Sequence, residues 1–215
     1  MQITVSNLKA AGVVVVASAG NSGPNCETIA FVPGMLDEAF SIGATDFQDT
    51  IAGFSSRGAV SADGSFRLKP DVSAPGVNVL SSVPNNGYNY YSGTSMAGSP
   101  VAGLVALMVG ANPLLAGQVD TIQEIIKRTA EPLTSGQSCS GFDGGTIPNA
   151  VYGYGRINAL MAVNEARKFT LSRNSLNNDL SFSLYPNPAF NDITISLKGN
   201  DEIQSVVMVD ITGRV

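Results

Sequence analysis

Between Tyr91 and Gly103 the chain reads Tyr-Ser-Gly-Thr-Ser-Met-Ala-Gly-Ser-Pro-Val-Ala-Gly, and the apolar run Leu104-Val105-Ala106-Leu107-Met108-Val109 follows at once. Small residues crowded around one serine, then unbroken apolar side chains, leave few folds open. A helix beginning at Ser95 would be apolar on every side, as expected of a helix buried inside a large domain. Its glycines and alanines would let neighbouring backbone approach closely. Ser95 would stand in the first turn, where N–H groups have no intrahelical partner and the helix field favours developing negative charge. The hydroxyl can serve there as an N-cap or as a nucleophile held by rigid structure.

Upstream, residues 2–11 read as the tail of a helix, with Val5, Leu8 and Ala11 on one face and Gly12 as its C-cap. Val13-Val14-Val15-Val16-Ala17 is a continuous apolar run, which after a helix predicts a central parallel strand covered on both faces. It ends in the turn-rich loop Ser18-Ala19-Gly20-Asn21-Ser22-Gly23-Pro24, at the end of the strand where open α/β sheets place ligands. Further strands are expected at residues 40–44 and 71–76, with another extended piece at 51–55. A hairpin is expected from 78–83 and 88–91 around Pro84-Asn85-Asn86-Gly87. It delivers the chain to Ser95. Ile122, Ile125 and Ile126 have the spacing of an amphipathic helix over 119–129, and a last helix over 159–167 is expected to pack by Leu160 and Val163.

At 215 residues the chain holds one domain of ordinary size and a small second one. The first is expected over 1–168, a polar Asn- and Ser-rich linker over 169–179, and a short β domain over 180–215, with short strands around Phe182, Leu184 and Tyr185, at 193–197 and at 206–210. A net charge of −5 without any Lys/Arg cluster argues against a nucleic-acid surface. No segment is expected to reach the length of a transmembrane span. Both ends look cut: a helix starts at the first residue without a cap, and three short strands do not make a stable sandwich.

Acyl transfer needs a nucleophile, a base and donors for the oxyanion. Ser95 can supply the first, and the Asn21 carboxamide can supply a donor. The sequence contains no histidine, the commonest base for activating a serine. Lys69 lies beside a loop and makes a poor substitute, Asp71 can orient a base without replacing it, and Arg57 reads as structural. Taken alone, the chain is expected to be a weak or dead hydrolase.

Gly93-Thr94-Ser95-Met96-Ala97 with Val101-Ala102-Gly103 resembles the nucleophile motif of subtilisin-like serine peptidases. The segment from Val14 to Gly23 looks like the one carrying that family's oxyanion-hole asparagine. Lys69-Pro70-Asp71-Val72-Ser73-Ala74-Pro75-Gly76 and Tyr152-Gly153-Tyr154-Gly155-Arg156-Ile157-Asn158-Ala159 also fit, in order. The resemblance implies an α/β fold: a three-layer parallel sheet with a central buried helix, N-terminally truncated, followed by an incomplete C-terminal β domain. It implies a serine endopeptidase acting on peptides or proteins, with Ser95 acylated and Asn21 in the oxyanion hole. The family's catalytic Asp and His would then belong to a portion absent from this chain, and Pro33 and Gly34 would lie near the specificity pocket. A noncatalytic peptide-binding relative at the cell surface is the alternative. The pattern departs from the family just after the nucleophile, where this chain reads Gly98-Ser99-Pro100. Calcium, common in the family, could stabilise the full-length parent, though no Asp/Glu cluster here identifies a site.

Leu184-Tyr185-Pro186-Asn187-Pro188, Ile193-Thr194-Ile195 and residues 209–215 resemble the C-terminal sorting domain of type IX secretion. That likeness implies the secretion machinery as a partner and a secreted or cell-surface protein exported through the periplasm. Cys26 and Cys139 form one bridge or stay two thiols, and an oxidising export route favours the bridge.

Overall fold

Three short parallel strands carry the first part of the chain: β1 (Val16–Ser18), β2 (Phe40–Thr45) and β3 (Val72–Pro75). They lie in the order β1-β2-β3, in a register that pairs Val16 with Phe40 and Ile42 with Val72. The computed structural model describes residues 1–170, 181–185 and 194–198. The chain divides into two units, Met1–Thr170 and Leu171–Val215.

After β3 comes the antiparallel hairpin of β4 (Val79–Val83) and β5 (Gly87–Tyr91), with Leu80 opposite Tyr90. Helix α1 (Gln2–Ala10) precedes the sheet, and α2 (Thr94–Ala111), α3 (Val119–Thr129) and α4 (Ala159–Ala166) follow the hairpin. All six residues of β2 are buried, which makes it the axis of the unit. Phe40, Ile42, Ala44, Val72 and Ala74 share one core with Ala97, Val101, Leu104 and Met108 of α2 and with the three isoleucines of α3. Removing each of the larger of these side chains from water is worth about 1.5–3 kcal/mol. Side chains alternate across a strand. Val16 accordingly packs against this core, while its neighbour Ala17 joins Val5, Leu36 and Ala39 in a second cluster. Helical layers therefore cover both faces of a parallel sheet, an α/β arrangement.

The start of β1 differs from expectation. Within this chain β1 is an edge strand, with Val13 exposed and Val14 to Val16 only half-buried. A continuous apolar run reports that both faces are covered; it carries no information on whether both in-plane neighbours are present. Helix α2 differs in a related way. Its inner stripe is buried, whereas Ala102, Gly103, Ala106, Leu107 and Gly110 face out, Leu107 being 60% exposed. Ala106, Leu107 and Gly110 line an apolar groove of about 470 Å³ together with Leu160 and Val163. The centrally buried helix expected from the sequence is thus covered on one side only among the described residues.

By length and composition alone α2 could also cross a membrane. That departs from the expected absence of a spanning segment: despite its Ser, Gly and Pro, the 18-residue helix has a mean hydropathy of 1.5. In the fold its inner stripe packs on the sheet.

Two smaller differences have plain causes. Residues 51–55 make one isolated bridge, Ile51 to Thr45, and no strand. In α4 the buried residues are Ala162 and Ala166, while Leu160 is 71% exposed, because small side chains let α4 lie close to α2. Asn112, just past α2, donates to the carbonyls of Ala166 (2.9 Å) and Phe169 (2.7 Å) and ties the two helices at their ends.

In the second unit, β6 (Ser181–Tyr185) pairs antiparallel with β7 (Thr194–Lys198), Tyr185 opposite Thr194. Residues 171–179 of the expected linker, Pro186-Asn187-Pro188 and the strand expected at 206–210 lie outside the described residues.

Candidate active site

Parallel strands all end on the same side, so the loops leaving β1 and β3 meet there. The loop after β1 carries Asn21. The path after β3 goes through Gly76 into the hairpin and returns at Gly93, whose N–H donates to the Gly76 carbonyl at 2.8 Å. A Cβ on Gly76 would stand 2.8 Å from both the Ala44 Cβ and the Gly93 carbonyl oxygen, so only glycine lets the helix start sit this close to the sheet. Helix α2 then begins at Thr94.

The Oδ1 of Asn21 accepts from both the N–H and the hydroxyl of Thr94, each at 2.9 Å. The Thr94 Oγ1 in turn accepts from the Gly20 N–H at 3.3 Å. Because the carboxamide oxygen is occupied, the Nδ2 end is left pointing toward Gly93, where a Cβ would be 3.5 Å away. Gly20 has φ +106, and a Cβ there would meet the Ser56 Oγ at 2.9 Å. That same Oγ accepts from the Ser22 N–H at 3.0 Å, which fixes the loop on the other side of Asn21.

Ser95 is exposed, next to buried Thr94. With Ser18, Val16, Gly98, Ser99 and Ala102 it lines an open depression of about 280 Å³ between β1 and the first turns of α2. The N–H groups of Met96 and Ala97 turn back to the Gly93 carbonyl at 3.0 and 3.3 Å. That leaves the Ser95 N–H, a first-turn donor, for an outside acceptor. No Asp, Glu, Lys or Arg occurs between Asp71 and Asp120, so no charge on this stretch offsets the positive end of α2. Gly34 lies beneath the site: a Cβ on it would be 2.2 Å from the Ser18 carbonyl oxygen.

Lys69 and Asp71 are elsewhere. The Lys69 ammonium donates to the Ala39 carbonyl (2.7 Å) and to Asp71 (2.6 Å), and Asp71 also accepts from the Ser41 N–H (2.7 Å) and pairs with Lys127 (3.3 Å). All of these stand where β2 and β3 begin, the opposite end of the sheet from Asn21 and Ser95. Arg57 is 3% exposed and donates to the Ala52 carbonyl, within the body of the unit. Among the described residues no group of three or more Cys, Asp or Glu gathers to hold a metal ion.

Thr94 was not anticipated as part of the site. Its position before Ser95 is conspicuous, but a threonine opening a helix reads as a cap. Its partner lies 73 residues earlier in sequence, a separation at which no local pattern exists.

The arrangement can present a hydroxyl at a helix N-terminus and two N–H donors near it, one backbone and one carboxamide. The profile of the subtilase family matches residues 1–155. Bacillopeptidase F of Bacillus subtilis is 43% identical over 132 residues, covering 61% of this chain and 8% of that protein. Serine protease AprX, also of Bacillus subtilis, is 36% identical over 170 residues, covering 69% of this chain and 35% of its own length. The solved structure of the prenylagaramide maturation protease PagA superposes with a TM-score of 0.61 at 25% identity, covering 76% of this chain and 54% of that one. The chain spans about a third of AprX and about half of PagA.

Proposed function

The chain belongs to the subtilase family, and from that membership we propose that it supplies the nucleophile and the oxyanion donors of a secreted serine endopeptidase. Ser95 Oγ attacks the peptide carbonyl carbon and forms the acyl-enzyme. The oxyanion takes hydrogen bonds from Asn21 Nδ2 and the Ser95 N–H, and the leaving amine departs with a proton. The observation that carries this reading is the pair of hydrogen bonds from Thr94 to Asn21 Oδ1, which holds a carboxamide beside the residue preceding Ser95.

The proton acceptor comes from polypeptide other than these residues. The sequence has no histidine, and Lys69 and Asp71 pair with each other at the far end of the sheet. The free edge of β1 and the outer face of α2 support an upstream segment packing there and walling the depression. Export is part of the proposal: it rests on the likeness of the tail to a type IX sorting domain and on the Cys26–Cys139 disulfide, a bond kept in oxidising compartments.

The test compares casein hydrolysis and labelling by a serine-reactive phosphonate in this chain and in a longer polypeptide that includes its upstream sequence. The longer protein is expected to turn over and to lose all turnover with Ser95→Ala, and this chain to be inactive. Turnover that survives Ser95→Ala, or rapid turnover by this chain alone, would overturn the assignment. A longer protein inert toward both substrate and phosphonate would favour a noncatalytic, peptide-binding relative.

A further inference from the structure

Asn21 lies in a long irregular stretch, residues 19–39, between the end of β1 and the start of β2. On one side it is anchored by strand pairing, since β1 is in register with β2. On the other side no helix or strand intervenes before Phe40, and glycines flank the pair Asn21-Ser22 at Gly20 and Gly23. Beside its contacts with residues 54–58, the far side is reached by a second irregular segment, residues 137–140. Cys139, 1% exposed, is bonded to Cys26 across 113 residues of sequence. Gln137 Nε2 donates to the Pro24 carbonyl at 2.8 Å, and the Ser140 hydroxyl donates to Glu27 Oε1 at 2.6 Å. Three links thus reach residues 24–27 from one short segment, and only one of them is covalent.

We infer that the Cys26–Cys139 disulfide is a positioning clamp, which sets where the loop carrying Asn21 stands over the start of α2. The loop's contacts with residues 54–58 hold it from below: Gly23 N–H donates to the Phe54 carbonyl and Glu27 N–H to the Gly58 carbonyl. Hydrogen bonds of this kind open locally on their own, whereas a covalent link on the opposite side limits how far the loop can travel. The catalytic consequence rests on the reading of Asn21 as an oxyanion donor; the mechanical one does not.

Amide hydrogen exchange on this chain tests the mechanical part. Dithiothreitol passes two electrons and two protons to the disulfide, giving two thiols, and closes to its own cyclic disulfide. Exchange at Ser22, Gly23 and Glu27 is expected to quicken by about tenfold or more on reduction, while β2 and α2 stay protected. A Cys26→Val/Cys139→Ala pair should behave as the reduced chain does. If reduced and paired-variant chains both unfold, Gln137→Ala with the disulfide intact decides. It should leave those three amides within about twofold, and a large increase would move the clamp to the hydrogen bonds.

In the turnover-competent longer protein, reduction should lower kcat by about tenfold and move KM less, as expected when a transition-state donor drifts. Unchanged exchange on reduction overturns the clamp whatever the activity. Faster exchange with unchanged kcat overturns the positioning of Asn21. Faster exchange with no turnover in either redox state leaves the clamp standing and removes the peptidase reading.

Discussion

Thr94 donates both its N–H and its hydroxyl to the carboxamide oxygen of Asn21, each at 2.9 Å. One residue at the mouth of α2 therefore decides which end of an amide on another loop is free. With its oxygen engaged twice, Asn21 has only N–H groups to offer an incoming ligand, the polarity an oxyanion requires.

Asn21→Ala in the turnover-competent longer protein should lower kcat by about 10²- to 10³-fold with KM little changed, the magnitude measured for an oxyanion-hole amide in a subtilisin. Thr94→Val removes two hydroxyl hydrogen bonds, at roughly 1 kcal/mol each, and should lower kcat by at most about thirtyfold. Steady-state kinetics on a chromogenic peptide reads both. A Thr94→Val protein with unaltered kcat would show that Asn21 orients without it.

Thermal and urea unfolding with and without reductant should show the Cys26–Cys139 bond stabilising the fold by about 2–5 kcal/mol, because it closes a loop of over a hundred residues in the unfolded chain. A midpoint that does not move on reduction would contradict this.

Hydrogen bonds from the Ser65 hydroxyl and N–H, with Arg67 beside them, hold the Asp63 carboxyl down to about 2, from an ordinary 3.8. A depressed carboxylate contributes its stability above the unfolded value and loses it as pH falls through the folded one. The turn at residues 63–67, which Arg67 pins to the Met35 carbonyl, should therefore hold at pH 5 and loosen between about pH 4 and 2. An NMR titration of the Asp63 carboxyl carbon checks it. An ordinary midpoint near 3.8 would show that the Ser65 hydrogen bonds do not persist in solution.

Two leucines on α2 separate its faces. Leu104→Ala, in the core, should destabilise this chain by about 2–5 kcal/mol. Leu107→Ala, on the open face, should change it by no more than about 0.5 kcal/mol. In the longer protein Leu107→Ala is expected to become costly, because the proposed upstream segment would cover it. Equal, small effects of Leu107→Ala in both proteins would mean that nothing packs there.

The amino-acid sequence by itself determined what is local. Periodicity placed α3 at residues 119–129, the Pro84–Gly87 turn placed the hairpin, and the run after Gly93 announced a helix opening near a serine. These follow from short-range sterics and from which faces are apolar, both written within a few residues of one another. Tertiary structure alone decided what depends on neighbours distant in sequence. Strand β1 became an edge and α2 kept one face open, because burial preferences record coverage without naming the covering partner. Lys69 was drawn to Asp71 at the far end of the sheet, and Thr94 was turned onto Asn21, by pairings that only the folded chain brings within hydrogen-bonding reach.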